Sequence, residues 1–370
     1  MTAEGPRSGA SRNVVGIGIV GLGKILSQYL ETFERLPHAR VVAVADLNAA
    51  RAQEVAAEVG ARALSVAELV ADPEVDVVLN LTIPAAHATV AHAAIEAGKP
   101  VYSEKPIAAS AAEAIGVLDA ARAAGVRVGG APDTVLGAGI QTARAAVDAG
   151  RIGTPTSATA TFACAGHESW HPNPDFYYQA GGGPLLDMGP YYLTTLVTLL
   201  GEVTSVVGAA RTARPTRTIG SGPRAGEIIE VAVATHVTGV LTHASGALST
   251  IVMSFDTAGT ESPKIEVHGT GGSLSVPDPN RFDGEVRLRE LGSPEWEVLE
   301  PAAGDIRGGR GIGVLDLVGA ASDAHVRASG ALALHVLEVM EAVLGSAETG
   351  QALAIDSRVE RPDPVPLIHS

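Results

Sequence analysis

Between residues 13 and 130 the sequence switches repeatedly between two periods. "NVVGIGIV" (13–20), "ARVVAVAD" (39–46), "VDVVLNLT" (75–82), "KPVYSE" (99–104) and "GVRVGG" (125–130) are short and dense in Val and Ile, and read as buried strands. "KILSQYLETFERL", "NAARAQEVAAEVG", "VAELVAD", "ATVAHAAIEAG" and "AAEAIGVLDAARAAG" lie between them and read as helices, several ending at Gly. A chain that alternates in this way has few options. Successive buried strands joined by helices form a parallel sheet with helices on both faces.

Beyond residue 155 the pattern becomes period two. "TPTSATATFAC", "IIEVAVATHVTGVLTHASGALSTIVMSF", "KIEVHGTGGSLSVPD", "EVRLREL" and "WEVLEP" alternate, separated by hairpin-like Gly dipeptides. This predicts a large, mostly antiparallel open sheet, flanked by the helices "GGGPLLDMGPYYLTTLVTLL" and "ALALHVLEVMEAVLG". The expected fold is therefore α/β: an N-terminal Rossmann dinucleotide-binding domain (13–131) and a C-terminal α+β domain (132–350) for substrate binding and oligomerisation. Residues 1–12 and 360–370, polar and Pro-rich respectively, read as flexible tails. A length of 370 residues suits two domains.

Acidic residues outnumber basic ones, 41 to 26, so neither nucleic acid nor an anionic membrane is the expected partner. The single cysteine, Cys164, excludes an internal disulfide and points to a reducing, cytoplasmic setting; its place in an alternating strand reads as a buried, inert thiol.

G-x-G-x-x-G matches formally at Gly16, Gly18 and Gly21, but the first two glycines fall inside the first strand. A phosphate-binding turn must follow the strand and open the helix, where free N–H groups and the helix dipole meet the pyrophosphate. Gly21-Leu-Gly23-Lys-Ile-Leu26 occupies that place, with Leu where Gly or Ala is usual. Asp46 closes the second strand, where a carboxylate accepts hydrogen bonds from ribose hydroxyls and repels a 2′-phosphate. It favours NAD over NADP.

"LTIPAAHATVAHAAIEAGKPVYSEKPIA" (81–108) places Glu104-Lys105-Pro106 just past a strand, at the carboxyl edge where α/β sheets bind ligands. Together with Thr82, Pro84, His87 and the run Gly181, Gly182, Gly183, Leu185, Asp187 and Gly189, this resembles the Gfo/Idh/MocA family of NAD(P)-dependent sugar oxidoreductases. The likeness covers roughly residues 13–350. It implies NAD as cofactor, lined by Gly21, Gly23, Lys24, Ile25, Asp46, Thr82, Ile83, Pro84, His87, Glu104 and Lys105, and no metal. It also implies a homo-oligomer, dimer or tetramer, formed through the exposed face of the second sheet.

If the helix after the glycines starts at Asp187, Pro190 falls in its first turn, where a missing N–H costs little. Asp187, Tyr191, Thr194, Thr195 and Thr198 then share one stripe. The resemblance turns that stripe toward the cofactor cleft and makes Lys105, Asp187 and Tyr191 catalytic. Most of the family has His where this chain has Tyr191, and the glucose–fructose oxidoreductase branch is similar in carrying Tyr. Two assignments of the base stand open. Tyr191 acts as a phenolate stabilised by Lys105 and the nicotinamide cation, or Lys105, its pKa lowered by burial beside a cation, accepts the proton while Tyr191 positions the hydroxyl.

"GHESWHPNPDFYY" (166–178) contains the zinc-protease pattern H-E-x-x-H, but Gly166, Pro172 and Pro174 make it a loop, and that chemistry needs a helix. The loop instead reads as a sugar surface: Trp170 offers a flat face, and His167 and His171 bond hydroxyls. Asp133, Arg307 and Arg310 are further candidates for substrate contact, with Arg307 and Arg310 on a loop read as exposed. The expected activity is hydride transfer between a secondary hydroxyl of a sugar, cyclitol or sugar derivative and NAD. The competing readings are an NAD-dependent glycosidase that oxidises, eliminates, hydrates and re-reduces, and a non-catalytic sensor.

Overall fold

The structure is a computed structural model and describes residues 14–369. The first sheet is built from β1 (Val15–Val20), β2 (Ala39–Ala45), β3 (Arg62–Ala63), β4 (Val77–Asn80), β5 (Val101–Ser103) and β6 (Val128–Gly130). All its pairs are parallel, in the order β3-β2-β1-β4-β5-β6. The crossovers are α1 (Leu26–Arg35), α2 (Ala49–Val59), α3 (Val66–Ala71), α4 (Pro84–Glu96) and α5 (Ala111–Ala124). Local chemistry sets their ends. Asn48 caps α2 by accepting from Ala50 and Arg51 N–H, and Gly60 closes it in the left-handed region at φ 68°. Ser65 and Glu68 form a capping box on α3.

After α6 (Ala138–Asp148) the chain builds β7 (Pro155–Ala163), α7 (Pro184–Leu200), β8 (Val203–Arg211), β9 (Thr216–Thr218), β10 (Ile228–Glu230), β11 (His236–His243), β12 (Leu248–Ser254), β13 (Ile265–Gly269), β14 (Gly272–Val276), β15 (Val286–Glu290), β16 (Glu297–Leu299), α8 (Ile312–Gly319), α9 (Gly330–Thr349) and β17 (Leu353–Ala354). Nine of these strands form one sheet, ordered β16-β15-β14-β13-β7-β12-β11-β8-β17, antiparallel except for the β7–β12 pair. β9 and β10 form a separate hairpin. α7 and α9 cover one face of the large sheet. Gly208 and Gly239 face each other across β8 and β11, and a Cβ on Gly239 would lie 3.3 Å from Val343 of α9, so their missing side chains let that helix lie close. α9 is apolar and long enough to cross a membrane by length and composition, and half of that apolar stretch is buried inside the protein.

Two expectations change here. α7 begins at Pro184, three residues before Asp187, because Gly183 turns the chain at φ 92°. Pro190 is therefore interior and removes one N–H from the helix ladder. The threonine stripe does not reach a cleft: Thr194, Thr195 and Thr198 are buried, Thr195 donating to Tyr191 O and Thr198 to Thr194 O. The Thr195 and Thr198 hydroxyls thus bond to carbonyls of their own helix.

The 360–369 segment is extended but docked, not free. Arg144 donates to Pro362 O, Arg361 bonds Asp148 and Thr198 O, and Val365 N–H donates to Gln141 Oε1. Val365 O accepts from Gly304, and Ile368 O from Ile306. The expected N-terminal tail lies outside the described residues.

Candidate active site

The carboxyl edge of the first sheet supplies one wall. Gly21 leaves β1 at φ 92°, where a Cβ would press on the Leu81–Thr82 backbone at 2.7 Å. Gly23 is different: a Cβ there would meet nothing within 4 Å. That open space lies before α1, whose N-terminus carries no side-chain cap and no acidic residue in its first turn. An anion fits there without competition. Lys24 and Ile83 are exposed at the same edge, Ile25 is half-buried, and Pro84 opens α4. Asp46 is half-buried and holds the turn: Oδ2 accepts from Leu22 N–H at 2.8 Å and Oδ1 from Asn48 N–H at 2.8 Å. Each oxygen keeps lone-pair capacity for a ribose hydroxyl.

Two residues expected to line the cofactor are instead braces behind it. His87 is fully buried, with Nδ1 2.7 Å from Pro106 O and Nε2 2.9 Å from Thr82 O. Burial holds its pKa low, and it ties the Thr82 loop to the Lys105–Pro106 turn. Thr82 itself donates to Asn80 Oδ1. Glu104 Oε1 accepts from Tyr29 Oη at 2.8 Å and Oε2 from Lys105 N–H at 2.9 Å, so the carboxylate ties the lysine's backbone to α1.

The second domain supplies the opposite wall through α7. Lys105 Nζ donates to Asp187 O at 2.6 Å and to Asp187 Oδ1 at 2.9 Å. His167 Nε2 lies 3.1 Å from Asp187 Oδ2. Burial opposes the charge on Lys105, but Asp187, Tyr191 and Glu104 outweigh it and hold its pKa above the ordinary lysine value. The lowered lysine is expected from burial beside the nicotinamide cation; in the protein alone the carboxylate partner reverses the effect of burial. Burial likewise opposes the charge on Asp187, and Lys105 and His167 bring it down to about 2.

Lys105 Nζ and Arg310 Cζ each lie 5.4 Å from the Tyr191 ring centre. Burial still wins over the two cations and raises the Tyr191 pKa, so the tyrosine is a phenol, not a phenolate. The site rests as ammonium, carboxylate and phenol.

The arginine loop splits. Arg307 is exposed, whereas Arg310 is only 8% exposed and turned inward. Asp133 does not face the cleft. It is fully buried, and Oδ2 accepts from Gly311 and Gly313 N–H, which anchors the Arg310 loop; burial raises its pKa to about 6. The 166–178 loop closes the site. Trp170 is 56% exposed beside His167, at 5.2 Å between ring centres, and His171 is buried and accepts from Asn173 N–H. Lys24 reaches near enough across the cleft to help burial lower the His171 pKa. His167 Nε2 already faces Asp187, so the ring positions a carboxylate and does not present that nitrogen to a sugar.

The zinc-like pattern disperses. His167–Ser169 is a single 3₁₀ turn, and Glu168 pairs with Arg217 Nη1 at 3.0 Å and accepts from Tyr178 Oη. Among the described residues no group of three or more His, Cys, Asp or Glu is placed to hold a metal. Sequence reasoning missed Arg217, Tyr177, Tyr29, Gln28 and Asn280. Tyr177 packs its ring 4.5 Å from His167 and lay inside the loop already singled out; the others gave no local signal.

A nucleotide-binding sheet edge facing a Lys–Asp pair across a second, open-sheet domain defines a two-domain NAD-dependent oxidoreductase. The profile of the oxidoreductase family's NAD-binding Rossmann fold matches residues 15–130, and that of the GFO/IDH/MocA C-terminal domain matches 140–275. The chain is 30% identical to a 1,5-anhydro-D-fructose reductase of Ensifer adhaerens, over 77% of this chain and 83% of that protein. It is 37% identical to inositol 2-dehydrogenase 3 of Saccharopolyspora erythraea, over 39% of this chain and only 44% of that protein's length. The crystal structure of an NAD binding oxidoreductase from Klebsiella pneumoniae superposes with a TM-score of 0.80 at 28% identity, over 93% of this chain and 100% of that chain. The chain belongs to the Gfo/Idh/MocA oxidoreductase family.

Proposed function

We propose that this enzyme transfers a hydride between a secondary hydroxyl of a sugar or cyclitol and NAD, with Lys105 as the proton-transfer group. The observation that carries the reading is the Lys105–Asp187 pair, which spans the two domains at the sheet edge. Gly21, Gly23, Lys24, Ile25, Asp46, Thr82, Ile83 and Pro84 hold the cofactor, which supplies the hydride acceptor. Asp187 fixes Lys105 and keeps it charged, so Lys105 donates a proton to the ketone oxygen in reduction and takes the hydroxyl proton in oxidation once its own has been passed to water. Tyr191, as a phenol, hydrogen-bonds the reacting oxygen. Trp170 and His171 hold the ring.

The test is hydride bookkeeping. Protein and NAD are incubated in deuterated water with sugars, cyclitols and aryl glycosides. NADH in proportion to oxidised sugar is expected. Free aglycone without NADH, with deuterium beside the oxidised carbon, would replace this reading with redox-neutral glycoside cleavage.

Asp46 sets the cofactor. Its carboxylate repels a 2′-phosphate, so NAD binds at least about tenfold tighter than NADP, about 1.4 kcal/mol. Fluorescence titration checks this; equal affinities would remove Asp46 from the ribose.

We also infer a cytoplasmic homo-oligomer. Val207, Val240 and Leu248 stand exposed on adjacent strands β8, β11 and β12, an apolar strip suited to a second copy. Light scattering and cell fractionation test these two points.

A further inference from the structure

Arg310 borders a second cleft, about 530 Å³ in volume, which runs beside α1. Gln28, Glu31 and Thr32 form one wall; Asn280 and the Ile306–Arg310 loop face them. Arg310 Nε donates to Gln28 Oε1, and Nη2 donates to Asn280 Oδ1, both at 2.7 Å. A guanidinium only donates, so each amide must turn its oxygen toward Arg310. Each NH2 is then presented away from it, and neither donates to a protein group among the described residues. One buried arginine thus fixes two amide donors and also lies against Tyr191.

We propose that this cleft is a second carbohydrate subsite, which binds the hydroxyl-bearing second ring of a disaccharide or glycoside while the ring to be oxidised sits at Lys105 and Tyr191. The proposal rests on the oxidoreductase reading above and adds the size of its substrate. The volume falls within the range of small-molecule sites. Arg310 lines this cleft and also lies 5.4 Å from the Tyr191 ring centre, so one side chain borders both sites.

The lining is mixed in charge, with Arg35, Arg281 and Arg310 set against Glu31 and Asp283. Tyr191, Glu104 and Asp133 act on Arg310 from within the protein, while its Nη1 has no hydrogen-bond partner among the described residues. The Glu31 carboxylate lines the cleft without an ion pair or hydrogen bond among the described residues. A sugar hydroxyl would donate to Glu31 and accept from the two amides.

Gln28→Glu with Asn280→Asp tests the site. The pair of substitutions keeps both oxygen acceptors for Arg310 and replaces both outward donors. With NAD, kcat/KM is measured for glucose against maltose and cellobiose, and for myo-inositol against its galactoside galactinol. Wild type is expected to prefer at least one glycosylated member by about tenfold or more, and the double variant to lose that preference to within about threefold. No preference in any pair overturns the subsite even where the small sugar is oxidised. A preference that survives in the double variant overturns its location. The same pairs are titrated by calorimetry into NADH-loaded protein, so that the subsite is decided apart from turnover. Tighter binding of the glycosylated member, reduced in the variant, supports it; equal binding overturns it. Absence of oxidation in every pair counts against the oxidoreductase reading alone.

Discussion

Replacing Lys105 with alanine is expected to lower turnover at least about a hundredfold, about 2.7 kcal/mol of barrier. The ammonium is the group held between the two domains at the place where a proton must be exchanged, with Asp187 Oδ1 at 2.9 Å. Truncation removes that group and leaves Asp187 with His167 as its remaining charged or polar side-chain partner. Cofactor affinity should change little, because the Gly21–Gly23 turn and Asp46 hold the nucleotide from other elements. Steady-state kinetics with NAD binding measured in parallel checks both halves. Near-wild-type turnover would remove Lys105 from the chemistry; a matching loss of NAD affinity would make it a cofactor ligand instead.

The largest effect on stability is expected at Arg217, in the β9–β10 hairpin. Its side chain is 1% exposed and pairs with Glu168 and Asp256, and Asp256 also accepts from Thr235. Tyr178 donates to the same Glu168. Deleting the guanidinium leaves two carboxylates desolvated with no cation, a loss of about 3–5 kcal/mol. Arg217→Ala should lower the unfolding transition of the second domain by that amount, seen by denaturant titration with circular dichroism. Lysine should recover only part of it, because an ammonium cannot reproduce the several directed bonds of the guanidinium. A change within about 0.5 kcal/mol, the scale of surface substitutions, would show that the pair is not desolvated in solution.

The alternation of periods in the first third made the parallel sheet legible, and the register argument for Gly21 over Gly16 holds because Gly16 and Gly18 pair with β2 inside the strand. β8 escaped notice for a physical reason. Gly208 is small because Val343 of α9 lies on it, and Ala209 to Arg211 are exposed, so the apolar alternation that marks a strand stops halfway along β8. At the site, the motifs located the sheet edge but not the direction of each side chain. His87, Glu104 and Asp133 belong to the right neighbourhood and face inward, where they hold loops. Arg310 reaches Tyr191 only through the tertiary fold, from more than a hundred positions away in sequence. The Lys105 pKa shows the same limit: the resemblance groups Asp187 with Lys105, but the 2.9 Å contact that reverses the effect of burial is not readable from the sequence.

The docked segment at 361–368 bears on the order in which the protein becomes competent. During synthesis the strands of the first sheet emerge early and pair with near neighbours in sequence. The loop that carries Arg310 is different, for it is hydrogen-bonded through Gly304 and Ile306 to Val365 and Ile368. A nascent chain can therefore complete its nucleotide half many residues before the loop against Tyr191 receives its strap. A ribosome-stalled chain ending near residue 355 would carry a nucleotide fold beside an unfinished substrate wall.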